Sequence, residues 1–247
     1  MTTPKSEWET KELAKKFLKE TRPAIPGADL QFTVIAKIVQ LWCKTPHRIL
    51  DLGCGDGILG CFLSQIFPSA DGTFVDFSDE MLHAAQKKTE NNSHARVVKA
   101  DFSTPQWLEV VTSFQPFDII VSGFAIHHLT HVRKKTLYSE IYDLLLPDGI
   151  FLNLEHVASS TQAGEQLFDE FFIDHLHYFH SKTDHDSNRN EVSKTYYNRP
   201  DKKENILASA EEQCCWLREI GFTDVDCFFK VFELALFGGK KNSNKAL

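Results

Sequence analysis

Apolar positions recur along this chain in two periods, and the alternation between those periods lays out its elements. Near the start, Trp8, Leu13, Ala14, Phe17 and Leu18 fall at near-helical spacing over residues 8–19. A break at Arg22-Pro23-Ala24-Ile25-Pro26-Gly27 follows, and Asp29 is the expected N-cap of a second, more apolar helix that stops before Pro46. Both helices precede the first strand and predict an N-terminal lid. Short apolar runs at 48–52, 73–76, 96–99, 117–121 and 150–154 then predict five strands. Between them, residues 58–67, 79–91, 105–114 and 131–146 read as helices. Met81, Leu82 and Ala85 share one side of the second of these, and Val132, Leu137, Ile141, Leu144 and Leu145 face inward on the last. Strands separated by helices imply crossover connections and a parallel sheet buried on both faces, an α/β class.

The pattern changes after Glu155. Residues 161–180 predict a long helix rich in Phe and His, and 181–205 are polar and read as an insertion. A helix over 208–220 should end at Gly221, and the apolar run 224–239 is long enough for two strands in a tight connection. Residues 240–247 look like a frayed tail. The expected layout is one domain over 1–247: a helical lid at 1–45, a core at 46–155, a cap insertion at 156–207, and a closing helix and strand pair at 208–239.

Composition narrows this without redirecting it. With 247 residues, 42% hydrophobic, 25% charged and only 12 Gly and 9 Pro, the chain is neither disordered, collagen-like nor a disulfide mini-scaffold. Its 27 basic and 34 acidic residues leave a formal charge of −7, which argues against a nucleic-acid partner. No stretch approaches the roughly 18 apolar residues that span a bilayer, and the N-terminus carries no apolar signal core, so a cytoplasmic protein without a membrane partner is expected. Cys43, Cys54, Cys61, Cys214, Cys215 and Cys227 form no C-x-x-C pair and read as reduced, mostly buried thiols.

The informative segment is Ile49-Leu50-Asp51-Leu52-Gly53-Cys54-Gly55-Asp56-Gly57-Ile58-Leu59-Gly60. Glycines directly after a first strand let the backbone turn tightly and let a ligand approach the main chain at a helix N-terminus. Gly55-x-Gly57-x-x-Gly60 formally matches a dinucleotide fingerprint, but counted from Gly53, where the strand ends, the third glycine position is Ile58. Asp51 at the strand end would repel a pyrophosphate, and no Gly-Lys-Ser/Thr follows to make a Walker loop. An acid beside the loop suits a ligand with an ammonium group and no phosphate. Asp76 ends the second strand, where nucleotide-binding α/β folds place the acceptor for ribose hydroxyls. Asp101 ends the third, where it could accept from an adenine amino group while Phe102 or Phe77 covers the ring. Each acid alone could simply cap the next helix, but three at successive strand ends point to a ligand.

With these residues in place, LDLGCGDG, FVDFSDEML, the AD-F pair, FDIIVSGFAIHHL and LLLPDGIFLNLE resemble the class I S-adenosylmethionine-dependent methyltransferases of small molecules. The resemblance covers roughly 45–155, and GFTDVDCFFKVFELALFGG fits the family's closing helix and strand pair. It implies a Rossmann-like, mostly parallel seven-stranded sheet with the last strand antiparallel, and S-adenosylmethionine as cofactor. By the same resemblance Gly53 and Gly55 touch the amino-acid end of the cofactor with Asp51 nearby, and Asp76 holds the ribose. Asp101 and Phe102 take the adenine, Gly123 and Phe124 line the fourth-strand side, and Cys54, Phe77 and Met81 complete the cofactor set.

Transfer of a sulfonium methyl asks the protein mainly for alignment, a dry pocket and sometimes a base. His127 and His128, just after the fourth strand, are candidate bases, as is Glu155 at the end of the fifth. Each could equally be a packing or capping residue. His156, Tyr197 and Arg199 are the candidate substrate contacts. The stretch Asp174-His175-x-His177-x-x-His180 raises a metal site, but its ligands scatter around the helix and a solvated face is the better reading. Tyr178 and Lys182 match the spacing of a dehydrogenase pair whose glycine pattern is missing here. The order of elements after Glu155 also resembles the carboxy-S-adenosylmethionine synthases of tRNA wobble-uridine modification, in which an arginine binds the added carboxylate; Arg199 is the nearest candidate. The expectation is a methyltransferase acting on a small molecule, as monomer or homodimer. A carboxy-S-adenosylmethionine synthase and a non-catalytic cofactor-binding subunit are the alternatives.

Overall fold

The structure, a computed structural model, describes residues 24–182 and 184–243, so the helix expected over 8–19 and the end of the expected tail lie outside the described residues. The elements run α1 (Ala28–Trp42), β1 (Arg48–Leu52), α2 (Ile58–Ile66), β2 (Asp71–Asp76), α3 (Asp79–Thr89), β3 (Ala95–Lys99), α4 (Trp107–Val111), β4 (Phe117–Gly123), α5 (His131–Leu144) and β5 (Leu145–His156). Then follow α6 (Gln162–Ser181), α7 (Arg189–Tyr197), α8 (Ala210–Ile220), β6 (Phe222–Val231) and β7 (Leu234–Lys241), with 3-10 turns at Ile126–His128 and Pro200–Glu204.

The strands form one seven-stranded sheet in the order β3-β2-β1-β4-β5-β7-β6. Neighbours from β3 to β5 pair in parallel, while β7 pairs antiparallel with both β5 and β6. Successive strand residues point to opposite faces, so a continuous apolar run fills two cores at once. Leu50, Ile120 and Phe151 face one core, with Leu137 and Ile141 of α5, Trp107 and Leu217 of α8. Their neighbours Ile49, Ile119 and Ile150 face the other, with Ile35 and Val39 of α1, Leu63 of α2 and Phe168 and Phe172 of α6. Burying one such side chain contributes about 1.5–3 kcal/mol. At Gly238 the sheet packs so closely that a Cβ would lie 2.0 Å from the carbonyl oxygen of Phe151.

Two local expectations shift. The N-cap of α1 is Gly27, at φ 71°, and Asp29 falls in the first helical turn, where its charge faces the positive helix end. Val132 is 78% exposed. It precedes the inward stripe of α5, which runs through Lys134, Leu137, Tyr138, Ile141 and Leu144. The polar insertion also acquires structure: Tyr196 of α7 donates a 2.6 Å hydrogen bond to Asp169 of α6, and Lys202 reaches the same carboxylate at 3.3 Å. Ser209 and Glu212 form a reciprocal capping box on α8, which Gly221 ends. Among the described residues no helix is long and apolar enough to cross a membrane.

Candidate active site

β1 pairs with β2 on one side and β4 on the other, so the connections leave its C-terminal end in opposite directions and open a crevice there. The loop after β1 is bent back onto β2, because Gly53 and Cys54 both donate to the carbonyl of Val75, at 2.8 and 2.9 Å. Gly53 has φ +69°, and a Cβ on it would lie 2.3 Å from that of Ala125. Only glycine fits there.

Asp76 closes this side. One oxygen accepts from the Gly55 amide and the other from the Ser78 amide, both at 2.9 Å. Burial pushes its carboxyl up, and the backbone amides oppose that shift. Each oxygen keeps a lone pair for a further donor. The cavity here is lined by Gly53, Cys54, Gly55, Asp76, Phe77, Ser78, Met81, Phe102, Gly123, Phe124, Ala125 and His128. It therefore gathers nine of the eleven expected cofactor residues and adds Ser78, Ala125 and His128. With aromatic and thioether walls, one carboxylate and no lysine or arginine, the lining fits a phosphate-free nucleoside with a cationic tail better than a dinucleotide. Burial also pushes the Cys54 thiol well up, so it is an uncharged wall.

Asp51 and Asp101 lie outside this lining. Asp51 is buried beneath the loop, and its Oδ2 accepts from the Gly60 amide at 2.8 Å, bracing the first turn of α2. Asp101 is exposed and accepts from the Ser103 amide at 2.8 Å, a local turn contact. The Phe102 loop is fixed differently: Arg133 donates to the Phe102 carbonyl at 2.9 Å and pairs with Glu140, to which Trp107 also donates at 2.7 Å.

The other wall begins where β4 ends. Phe124 adopts φ 53° and donates to the Leu154 carbonyl at 2.7 Å, turning the chain into the Ile126–His128 turn. His128 lines the cavity; its ring is hydrogen-bonded to the Glu204 backbone, and desolvation, reinforced by His127, drives it down to about 3. His127 stacks on it with ring centroids 3.9 Å apart. Behind, His127 Nδ1 lies 2.6 Å from Glu155 Oε1, and both groups are buried. Desolvation pushes His127 well down and Glu155 up to about 7, so both shifts favour an uncharged pair. The His156 amide donates to the same Glu155 oxygen at 2.8 Å.

A second pair sits alongside. His156 Nε2 lies 2.8 Å from Glu233 Oε2 in the β6–β7 turn, and its ring is 5.8 Å from that of His127. Arg199 stacks its guanidinium 4.6 Å from the Tyr196 ring centre, and its charge reaches His127. Arg199 Nε is buried and pairs with Asp201 Oδ2 at 3.6 Å, while Asn205 Oδ1 is buried with no hydrogen-bond partner among the described residues. Tyr197, in contrast, is 46% exposed on α7 and lies outside the cavity lining. His175 and His177 each have a ring nitrogen 3.0 Å from a backbone carbonyl, of Phe171 and Ser187.

Sequence reasoning missed Glu233 and Lys134. The first is the only acid inside the apolar run 227–237, and the second is a cation on the inward stripe of α5. Both were signals of buried polar partners.

Residues 49–149 match the family model of a methyltransferase domain. The chain is 22% identical over 228 residues to a carboxy-S-adenosyl-L-methionine synthase of Nautilia profundicola, covering 92% of this chain and 91% of that one. It is 31% identical over 144 residues to a demethylmenaquinone methyltransferase of Thermus thermophilus, covering 58% of this chain and 62% of the other. Among solved structures, a putative S-adenosyl-L-methionine-dependent methyltransferase from Methanococcus maripaludis superimposes with TM-score 0.58 at 20% identity, over the full length of both chains. The S-adenosylmethionine-dependent methyltransferase SibL superimposes with TM-score 0.60 at 19% identity, over 87% of this chain, which spans 55% of SibL. Residues 49–149 thus carry a methyltransferase domain, the whole sheet has the fold of S-adenosylmethionine-dependent methyltransferases, and these likenesses support S-adenosylmethionine as the cofactor.

Proposed function

We propose that this protein transfers the methyl group of S-adenosylmethionine to a small-molecule acceptor bound between His128 and the insertion. The observation that carries the reading is the junction of two walls: the Asp76–Gly55 side, built for the cofactor, meets His128 in a single cavity. When bound, the sulfonium supplies an activated methyl group for in-line displacement.

The chain's residues do the rest. Asp76 accepts from the ribose hydroxyls, the Gly53–Gly55 backbone receives the amino-acid end, and Phe102 and Met81 enclose the adenine. Asp51 acts at one remove, by holding the loop. Asp101 stands at the rim of the adenine pocket. On the acceptor side His128, uncharged, offers its ring to the acceptor's donor group. Behind it His127 Nδ1 and Glu155 Oε1 lie 2.6 Å apart, so Glu155, pushed up to about 7, exchanges a proton with His127, whose ring packs against that of His128 and holds it in place. His156 and Arg199, which cluster with His127 behind His128, are assigned to the acceptor side.

The test is calorimetric titration of S-adenosylhomocysteine into the wild type, followed by acceptor screening with radiolabelled S-adenosylmethionine. Micromolar or tighter binding with transfer to a small molecule supports the reading, and absence of binding overturns it. A second reading is favoured by the near-complete overlap with a carboxy-S-adenosyl-L-methionine synthase. It predicts a bound ligand heavier than S-adenosylmethionine by one carboxylate. The methyltransferase reading is the better supported, because the family model that matches residues 49–149, from the glycine loop through His128, is that of a methyltransferase domain.

A further inference from the structure

α5 buries a lysine on its inward stripe, and nothing in the proposed chemistry uses it. Lys134 is fully buried, in a position where an aliphatic side chain would pack more cheaply. Its ammonium donates to three carbonyls: those of Leu129 and Ile206, and that of His127 at 3.3 Å. An ammonium has three donors, so all of them are satisfied. Two of the acceptors belong to the turn that carries His127 and His128. The third belongs to the strap 204–208, which runs on from the Arg199 corner.

The strap is tied to the same turn by further bonds. Ile206 donates to the His127 carbonyl at 2.9 Å, His131 Nε2 lies 3.1 Å from the Leu207 carbonyl, and the His128 ring is bonded to the Glu204 backbone. Ala158, just past β5, donates to the Ala208 carbonyl at 3.0 Å. The acceptor wall is thus assembled from three chain segments distant in sequence, and Lys134 is the cation at their junction. Desolvation lowers Lys134 to about 8 while Glu155 opposes that shift, so the ammonium stays mostly charged at neutral pH.

We propose that Lys134 is a positioning residue, whose ammonium clamps the strap 204–208 to the His127–His128 turn and so fixes the His128 ring on the acceptor side of the site. The inference rests on the acceptor-side reading above, but its test does not depend on knowing the acceptor. Lys134→Met removes the donors at similar volume, and Lys134→Arg restores a cation. Imidazole nitrogen NMR and amide hydrogen exchange are recorded on the protein saturated with S-adenosylhomocysteine.

In Lys134→Met, affinity for S-adenosylhomocysteine should stay within about twofold of wild type, because none of the residues at the Asp76 side touches Lys134. The His128 ring should lose its single tautomer and titrate closer to the ordinary histidine range. Amides 205–208 should exchange at least tenfold faster, while those of β2 are unchanged. Lys134→Arg should recover part of the His128 signature. Unchanged His128 signals and unchanged exchange over 205–208 in Lys134→Met overturn the proposal. Should Lys134→Met fail to fold, the wild type decides: a solvent-protected ammonium resonance with couplings to the His127, Leu129 and Ile206 carbonyls is expected, and a freely exchanging ammonium contradicts it. A wild type that binds no S-adenosylhomocysteine counts against the function proposed above, whereas the clamp is read from the histidine and amide signals alone.

Discussion

The two walls of the cavity are held by different kinds of bond. Around the glycine loop the contacts stay within one β1–β2 unit: Asp76 bonds to Gly55 and Ser78, and the loop bonds to Val75. On the acceptor side they are long-range: Glu155 meets His127 and Glu233 meets His156, while Lys134 meets Ile206, 72 positions away. The first wall uses backbone amides and one carboxylate in a geometry that a glycine loop dictates. The second uses buried ionisable side chains whose charge states depend on one another. One wall is thus set by the backbone and suits a constant ligand, and the other is set by side chains and suits an acceptor that differs among relatives.

The sharpest way to break this contrast is Asp76→Ala. It removes the ribose acceptor and leaves the Gly55 and Ser78 amides without their partner, so affinity for S-adenosylhomocysteine should fall at least about 100-fold by calorimetry. Glu155→Gln, on the opposite wall, should leave that affinity within about threefold.

Glu155→Gln should instead change how stability depends on pH. In the wild type the folded carboxyl holds its proton up to about 7, against an ordinary value of 4.5, so the folded state binds more protons in between and stability falls as pH rises across that window. The variant lacks this loss, at most about 3 kcal/mol, which urea unfolding at pH 4.5 and pH 8 would measure. Gly53→Ala tests the backbone wall: φ +69° and the contact with Ala125 should destabilise the fold by about 1–3 kcal/mol and weaken S-adenosylhomocysteine binding about tenfold. His128→Gln tests the opposite sign of pH dependence on the same wall as Glu155. The wild-type ring, held at about 3 when folded and 6.5 when free, makes stability drop as pH falls below 6.5; thermal melts of the variant between pH 6.5 and 4 should show a shallower drop.

The same division explains what the sequence made legible. Strands β1 to β5 were readable because runs such as Ile49-Leu50 and Ile119-Ile120 are apolar at consecutive positions, which only a sheet buried on both faces requires. The glycine loop and Asp76 were readable because their spacing is fixed by one βαβ unit. Asp51 and Asp101 were also found, but as strand-end acids they could not be told apart from residues that brace α2 or a turn. Helical spacing leaves the starting phase of a stripe open, so it admits Val132 as inward, and the buried Lys134 shows where the phase lies. Glu233 and the strap at 206 had no local signature, since their partners meet them only across the folded sheet.

The central question is what the crevice at the end of β1 holds. Mass spectrometry of the small molecule released on denaturing the purified protein asks this directly. S-adenosylmethionine or S-adenosylhomocysteine in stoichiometric amount, lost in Asp76→Ala, is the predicted result. A nicotinamide dinucleotide in its place would contradict the account.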